Sequence, residues 1–176
     1  LIGEIPGIFK NISERCKSKN IMKHEIPDQV TINEYDPGQG IGHHVDTHSS
    51  FGEEISILSL GTGVTMNFRH PSGVNKSVYL PRRSVVVMRG EARYEWDHGI
   101  AARKLDVIDE KVVERGRRLS ITMRNVRHDP CKCNWPTLCD SQYDMVMEDS
   151  LAPTNIEKEH VHKVRTHYYY CIKYHS

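Results

Sequence analysis

Polar and apolar residues change their spacing twice along this chain. From position 8 to 23 (IFKNISERCKSKNIMK), Ile8, Phe9, Ile12 and Cys16 recur at three- and four-residue intervals, the period of an amphipathic helix. Pro27 and Asp28 end that segment. The pattern then shortens to strand-like runs at 29–35 (QVTINEY), 55–60 (ISILSL), 64–68 (VTMNF), 77–80 (SVYL), 84–88 (SVVVM) and 118–126 (RLSITMRNV). Turn formers separate them: Pro37-Gly38-Gln39-Gly40, Gly61-Thr62-Gly63, Pro71-Ser72-Gly73 and Pro81-Arg82-Arg83. Many short strands joined by Gly/Pro turns predict an all-β core with flanking helices, a sandwich or barrel rather than a βαβ fold. After Val126 the regularity stops. Positions 128–141 hold three Cys and two Pro, 142–155 read as a linker, and Val161, Val164 and Tyr168 predict a last helix beginning near Ile156.

The run 118–124 is the most informative local pattern. Strand side chains alternate between faces, so Arg118, Ser120, Thr122 and Arg124 line one side and Leu119, Ile121 and Met123 the other. Two environments suit such a strand. Its polar side could face water, or it could line a polar cavity with both arginines aimed at an anion.

Composition narrows the class without choosing a function. The 176 residues suffice for one domain with a substantial core, and a 38% hydrophobic, 27% charged chain is ordinary for a globular protein. No apolar run reaches transmembrane length, so no membrane partner is expected. A net charge of +1 excludes a polybasic protein but leaves room for a basic face. Five cysteines, three of them between 131 and 139, fit a reducing compartment, cytoplasmic or nuclear, and a local metal cluster better than a disulfide framework.

Two constellations could carry chemistry. In His44-Val45-Asp46, residues i and i+2 of an extended segment present an imidazole and a carboxylate to the same side. A distant histidine such as His98 would complete the two-histidine, one-carboxylate set that leaves open positions on non-haem Fe(II). His43 stands three residues from Asp46, a spacing that points the two apart, so His44 is the better ligand. The second constellation is Cys131, Cys133 and Cys139, a C-x-C-x5-C cluster stiffened by Pro130 and Pro136. Three thiolates and one imidazole make a closed, structural zinc site; the alternative is a set of reduced thiols or one disulfide with a free thiol.

Taken in order, Asn33, Tyr35, Pro37, Gly38, Gly40, His44, Asp46, His98, Arg118, Ser120, Thr122 and Arg124 spell N-x-Y-x-P-G-x-G-I-x-x-H-x-D … H … R-x-S-x-T-x-R. Over roughly residues 29–128 this resembles the AlkB family of Fe(II)/2-oxoglutarate dioxygenases. The stretches DTHSSF at 46–51, LPRRSVVVM at 80–88, GEARYEWDHGI at 90–100 and the cysteine tail are most similar to members that hydroxylate a modified wobble uridine of tRNA. The resemblance implies a double-stranded β-helix, or jelly roll, with iron on His44, Asp46 and His98. It implies that Arg118 clamps the distal carboxylate of 2-oxoglutarate, that Asn33 and Tyr35 donate to it, and that Arg124 fixes its near end. It also suggests His48 as the fourth zinc ligand beside Cys131, Cys133 and Cys139, with His128 and His43 as alternatives.

The expected organisation is a helical lead-in over 1–28, an oxygenase core over 29–128, a zinc-binding tail over 129–142, and a linker with a truncated helix over 143–176. Leu1 in place of Met reads as a piece of a longer chain. Relatives carry an RNA-recognition module and further strands before this region, and many carry a methyltransferase after it. Here EKEHVHKV at 157–164 resembles the lead-in to that methyltransferase but diverges into RTHYYYCIKYHS with no glycine-rich cofactor loop, so methyl transfer would need a partner or missing fused domains. The implied partners are 2-oxoglutarate, O2 and a tRNA anticodon loop, whose unpaired base is cheap to deliver to a pocket. Two basic clusters are candidates for phosphate contact or for plain solvated faces: Lys111, Arg115, Arg117, Arg118, Arg124 and Arg127, and Arg82, Arg83, Arg89 and Arg93. Two other functions share these motifs: an AlkB-type demethylase of alkylated nucleobases or protein, and a non-catalytic fragment that binds RNA or protein.

Overall fold

Helix α1 (Gly7–Ser18) stops where Lys19 closes the last turn onto the Cys16 carbonyl and Asn20 takes a positive φ of 55°. In this computed structural model, which describes residues 4–23 and 26–143 and the backbone of Arg165–Tyr170, strands then dominate. In chain order they are β1 (Gln29–Tyr35), β2 (Ile41–His44), β3 (Glu54–Gly61), β4 (Val64–Arg69), β5 (Asn75–Leu80) and β6 (Ser84–Arg89). A single helical turn, α2 (Glu91–Tyr94), leads to β7 (Asp97–Ile100), β8 (Leu105–Ile108), β9 (Lys111–Glu114), β10 (Arg118–Arg124) and β11 (Arg165–Tyr170).

The strands form a large sheet ordered β11-β1-β10-β3-β6 and a small sheet ordered β2-β7-β4-β5, with β8 and β9 as a separate hairpin. All named pairs are antiparallel. Ile55, Ile57 and Met88 of the large sheet meet Val64, Met66, Phe68, Leu80 and Ile100 between the sheets. This two-sheet arrangement is the expected jelly roll.

The outer face of the large sheet is not open to water. Phe9, Cys16 and Ile5 cover Val30, Leu58, Ile121 and Met123 there. Strand β10 is therefore buried on both faces, and the water-facing reading of its polar side is overturned: Arg118, Ser120 and Thr122 are 3–5% exposed. Ile8, counted in the apolar face of α1 on spacing alone, points outward at 59% exposure, because the helix presents Phe9, Ser13 and Cys16 to the sheet.

Two glycines matter to the architecture. A Cβ at Gly40 would run into the Ile100 carbonyl, so a side chain there would push β2 away from β7. Gly61 has φ +81° against the Arg117 carbonyl and lets β3 end beside the start of β10.

The predicted final helix is corrected over part of its length. Arg165–Tyr170 pairs antiparallel with β1, with Gln29 opposite Tyr170 and Glu34 opposite Arg165. A Thr- and Tyr-rich run has strand propensity, and the free edge of β1 offers unpaired backbone groups to it. The linker at 144–155 and the rest of the predicted helix lie outside the described residues.

Met123 is fully buried between β10 and α1, next to Val30 and the Ser13 hydroxyl. Met123→Ala should cost about 2–5 kcal/mol, the range for emptying such a core position. Urea unfolding of the two proteins measures it, and a loss below about 0.5 kcal/mol would contradict the packing of α1 on this sheet.

Candidate metal centre

The register of the small sheet sets His44 of β2 directly opposite His98 of β7. Their ring centroids lie 4.5 Å apart. Asp46 follows two residues later, past the end of β2, and turns its carboxylate back toward the pair, with Oδ2 3.8 Å from His98 Nε2. One ligand atom from each of His44, Asp46 and His98 falls within 4.8 Å of the other two. His44 is oriented by a contact of its Nδ1 with the Gly42 carbonyl at 2.9 Å, which leaves Nε2 free. His98 Nδ1 is buried without a partner. His43, the neighbour weighed against His44, turns instead to Asp97, with Nδ1 2.6 Å from its carboxylate.

The electrostatics of the cluster suit a cation. Burial, the charge of His44 and only a partial offset from Asp46 bring the pKa of His98 down to about 4, so it is a neutral donor at pH 7. Burial pushes the Asp46 carboxyl upward, but Arg124, His98, His44 and Arg93 outweigh it and hold Asp46 below its usual range. Arg124 Nη2 bonds Asp46 Oδ1 at 2.6 Å, while Nη1 reaches Gln29 Oε1 and Thr31 Oγ1 at 3.1 Å. Two imidazoles and one carboxylate, buried and preassembled, can hold a divalent first-row metal such as Fe(II).

A second polar pocket sits farther along the same face. Gln29, Thr31, Asn33 and Tyr35 of β1 lie opposite Arg124, Thr122, Ser120 and Arg118 of β10. Arg118 donates from Nε to Ser59 Oγ at 3.0 Å and lies 5.4 Å from the centroid of the Tyr35 ring. Burial lowers its pKa, and no carboxylate pairs with it among the described residues. Asn33 Oδ1 is also buried without a partner. A buried guanidinium lacking an acid is a receptor for an anion, and its planar fork matches a carboxylate.

The cysteine tail folds against the loop that follows Asp46. His48, Cys133 and Cys139 place ligand atoms within 4.8 Å of one another, with His48 Nδ1 3.5 Å from Cys133 Sγ. Cys131, the third thiol expected there, is buried but falls outside that group. Burial, offset in part by the Trp135 backbone, pushes Cys133 up to about 11. Burial also pushes Cys139 upward, but bonds from Ser141 and Gln142 outweigh it and bring it to about 7. Cys139 is thus readier to ionise than Cys133. Asp140 accepts from the Ser49 amide at 3.0 Å and from its hydroxyl, tying the tail to the loop that carries His48.

The basic clusters read from sequence divide: Arg93, Arg115 and Arg118 are buried, whereas Arg82, Arg83, Lys111 and Arg117 stay exposed. Arg115 bonds buried Asp106, Arg117 pairs with Glu34, and Arg89 with Glu54. Arg127 donates to the Phe51 carbonyl and the Tyr94 hydroxyl. Arg93, read as part of a possible phosphate-binding face, is buried and bonds backbone carbonyls around Asp46. Sequence reading also missed Ser59, which holds Arg118, and gave Arg93 no role at the centre; nothing in charge spacing marks an arginine as buried.

Comparison with known proteins agrees with this geometry. Residues 2–124 match the family model of the 2OG-Fe(II) oxygenase superfamily. A Xenopus tropicalis protein, tRNA (carboxymethyluridine(34)-5-O)-methyltransferase alkbh8, is 42% identical across 93% of this chain, which spans 29% of that protein. An Arabidopsis thaliana protein named alkylated DNA repair protein ALKBH8 homolog is 37% identical across 82% of this chain and 48% of its own length. The solved structure of OsALKBH1 superposes with a TM-score of 0.51 at 21% identity, covering 69% of this chain and 66% of that one, a likeness of fold.

The depressed pKa of His98 has a stability consequence of definite sign. Its neutral form is favoured in the fold, so the unfolded chain binds more protons between pH 6.5 and about 4, and stability falls as pH drops through that window. Burial and Arg93 also lower His48, in the same direction. Urea unfolding of metal-free protein across that range should show the loss, and His98→Gln should reduce the slope. A profile that is flat between those limits would refute the buried neutral imidazole.

Proposed function

The chain belongs to the 2OG-Fe(II) oxygenase superfamily, and we propose that it uses Fe(II) and 2-oxoglutarate to hydroxylate a modified wobble uridine of the 5-methoxycarbonylmethyluridine type in a tRNA anticodon loop. The observation that carries the oxygenase reading is the convergence of His44, Asp46 and His98 on one buried point across β2 and β7. The choice of tRNA is supported by the Xenopus relative, named for 5-O-methylation of carboxymethyluridine 34. An oxygenase segment within such a protein would act on a C–H bond of the same nucleotide. Methyl transfer itself would belong to regions of those proteins beyond this segment, or to a partner.

In this reading His44, Asp46 and His98 hold the iron, and Arg118 holds the distal carboxylate of 2-oxoglutarate. When bound, the metal and the oxo acid supply the oxidation: O2 is consumed, 2-oxoglutarate becomes succinate and CO2, and a substrate C–H becomes C–OH. The protein's share is placement. Ser59 and the Tyr35 ring set the plane of the Arg118 fork. Asn33, one register step away on the same face, brings a further polar group to the co-substrate. Arg124 occupies Asp46 Oδ1 and so leaves Oδ2, the oxygen nearer His98, as the ligand. His98 requires no deprotonation at neutral pH before it binds metal. No residue of the cluster acts as a nucleophile.

His48, Cys131, Cys133 and Cys139 hold a structural zinc in the same reading. Four protein ligands would close the coordination sphere and leave no position for substrate or water. Its role is to pin the tail against the loop that also carries Asp46.

The decisive experiment loads the protein with Fe(II) and 2-oxoglutarate without oxygen, then admits oxygen and measures succinate with and without total tRNA. Succinate that rises only with tRNA, together with a hydroxylated wobble uridine in digests, is the expected result. Succinate driven instead by alkylated DNA or protein points to demethylation, and none under any condition points to a binding fragment. Asp46→Ala should abolish turnover, whereas Arg118→Lys should mainly raise the KM for 2-oxoglutarate, by about 1–3 kcal/mol of lost charged hydrogen bonding. Unchanged succinate from Asp46→Ala would end the site assignment.

The zinc reading has its own test. Elemental analysis of protein purified without added metal should find about one zinc per chain. Cys133→Ser should lose that zinc and melt at a lower temperature, because ligands ordered only in the fold make metal affinity part of folding energy. Absence of zinc from both proteins, with equal melting temperatures, would leave three ordinary thiols.

A further inference from the structure

Arg93 is 1% exposed and is the largest fully buried side chain among the described residues. Its guanidinium makes no ion pair there. It donates instead to backbone carbonyls at both ends of one loop. Nη1 reaches Asp46 O at 2.5 Å, Nη2 reaches Thr47 O at 3.0 Å and Phe51 O at 3.4 Å, and Nε reaches Gly52 O at 3.2 Å. That loop carries Asp46 of one ligand cluster and His48 of the other.

The connections continue on both sides of Arg93. Its guanidinium carbon lies 4.8 Å from the Tyr94 ring centroid. Tyr94 meets the His48 ring edge-on at 4.9 Å and stacks on Trp135 of the cysteine tail at 5.1 Å. Arg93 belongs to α2, which runs directly into β7 and its His98. One short segment therefore supplies a histidine of the first cluster and grips the loop that supplies its carboxylate.

Packing alone does not account for this residue. A buried cation is costly to desolvate, and an apolar side chain of similar volume often fills such a space without loss. The guanidinium is suited to the task because its N–H donors are held in a rigid planar fork, whereas lysine offers a single ammonium point. Burial lowers the pKa of Arg93, and the negative charge of Asp46 offsets part of that.

We infer that Arg93 is the positioning residue of the metal centre: by holding the carbonyls at both ends of the 46–52 loop it fixes the Asp46 carboxylate and the His48 imidazole where their respective clusters need them. The inference rests on the metal reading proposed above and assigns that site a residue outside its ligands. It makes the geometry of the iron carboxylate and that of the sulfur-rich cluster two consequences of one clamp.

The test compares the full chain as wild type, Arg93→Lys and Arg93→Met, with Co(II) as an oxygen-stable spectroscopic probe of the Fe(II) site. Wild-type protein should bind Co(II) in a manner lost in Asp46→Ala. If it does not, the metal reading itself falls. Both Arg93 variants should bind Co(II) about 10- to 100-fold more weakly, the usual penalty for removing a group that orients a ligand. Their d–d bands should also change, because the ligands remain but their arrangement does not. A merely structural role predicts otherwise: a lower melting temperature with wild-type Co(II) affinity and spectrum in the folded variant, a result that overturns the inference while sparing the metal reading. If neither variant folds, wild-type protein with 15N-labelled arginine decides the matter. The Arg93 guanidino protons should exchange slowly with water and shift when diamagnetic Zn(II) fills the Asp46 cluster; fast exchange, or signals that metal does not move, overturns the clamp.

Discussion

The ion pair between Arg124 and Asp46 joins the two halves of this protein. Arg124 is the last residue of β10 in the large sheet, and Asp46 lies just beyond β2 in the small one. At 2.6 Å, with both side chains largely buried, the contact fixes how the ligand loop sits over the interior face of the large sheet. Breaking such a pair by removing one partner costs about 3–5 kcal/mol, because the other charge is stranded. The Arg124 guanidinium also lies 4.7 Å from the Phe51 ring centroid, at the far end of the same loop. That anchor adds to the packed core a direct polar tie between Asp46 and the sheet that carries Arg118.

The anchor works because β10 is covered on both sides. A two-residue period places Arg118, Ser120, Thr122 and Arg124 on the inner face whatever else happens. Only α1, seated on Ile121 and Met123, makes the opposite face a core and turns β10 into an interior strand. In an enclosed position Arg118 has few groups to meet its charge, and Ser59 and the Tyr35 ring do so only in part. In the proposed reading, that shortfall is what would favour an anion in the pocket. A solvent-exposed arginine strand with the same sequence would be satisfied by water and would select nothing.

Much of this architecture was legible in the residues, for identifiable reasons. The runs 29–35, 55–60, 64–68, 77–80 and 84–88 are rich in β-branched and aromatic residues between Gly/Pro turns, and each falls within an observed strand. Strands β2 and β7 were missed because IGHH and DHGI carry glycine and histidine where strand formers would be expected. Those same strands hold His44 and His98 opposite each other, so propensity was weakest where the ligands are. The hairpin of β8 and β9 escaped notice because its turn is Asp109-Glu110, both at positive φ, with no glycine to announce it. Charge spacing misled in another way. Arg93, Arg115 and Arg117 form part of basic runs in the sequence, yet their partners are Asp46 O, Asp106 and Glu34, far enough along the chain that no local pattern reveals them.

A single loop between β2 and β3 feeds both ligand clusters, and this has consequences for how the site is built. Asp46 and His48 are two residues apart and belong to different clusters, so any rotation of the backbone between them disturbs both. The protein meets that constraint with backbone hydrogen bonds rather than with packing. Arg93 takes the carbonyls of Asp46, Thr47, Phe51 and Gly52, and Asp140 takes the Ser49 amide. The Ser50 carbonyl accepts from Arg127 and the Gly52 amide donates to Asn125. Loops fixed this way lose their order together, since each bond depends on the same backbone path. The cysteine tail is therefore coupled mechanically to the Asp46 loop: what holds His48 in place also constrains the carboxylate two residues away.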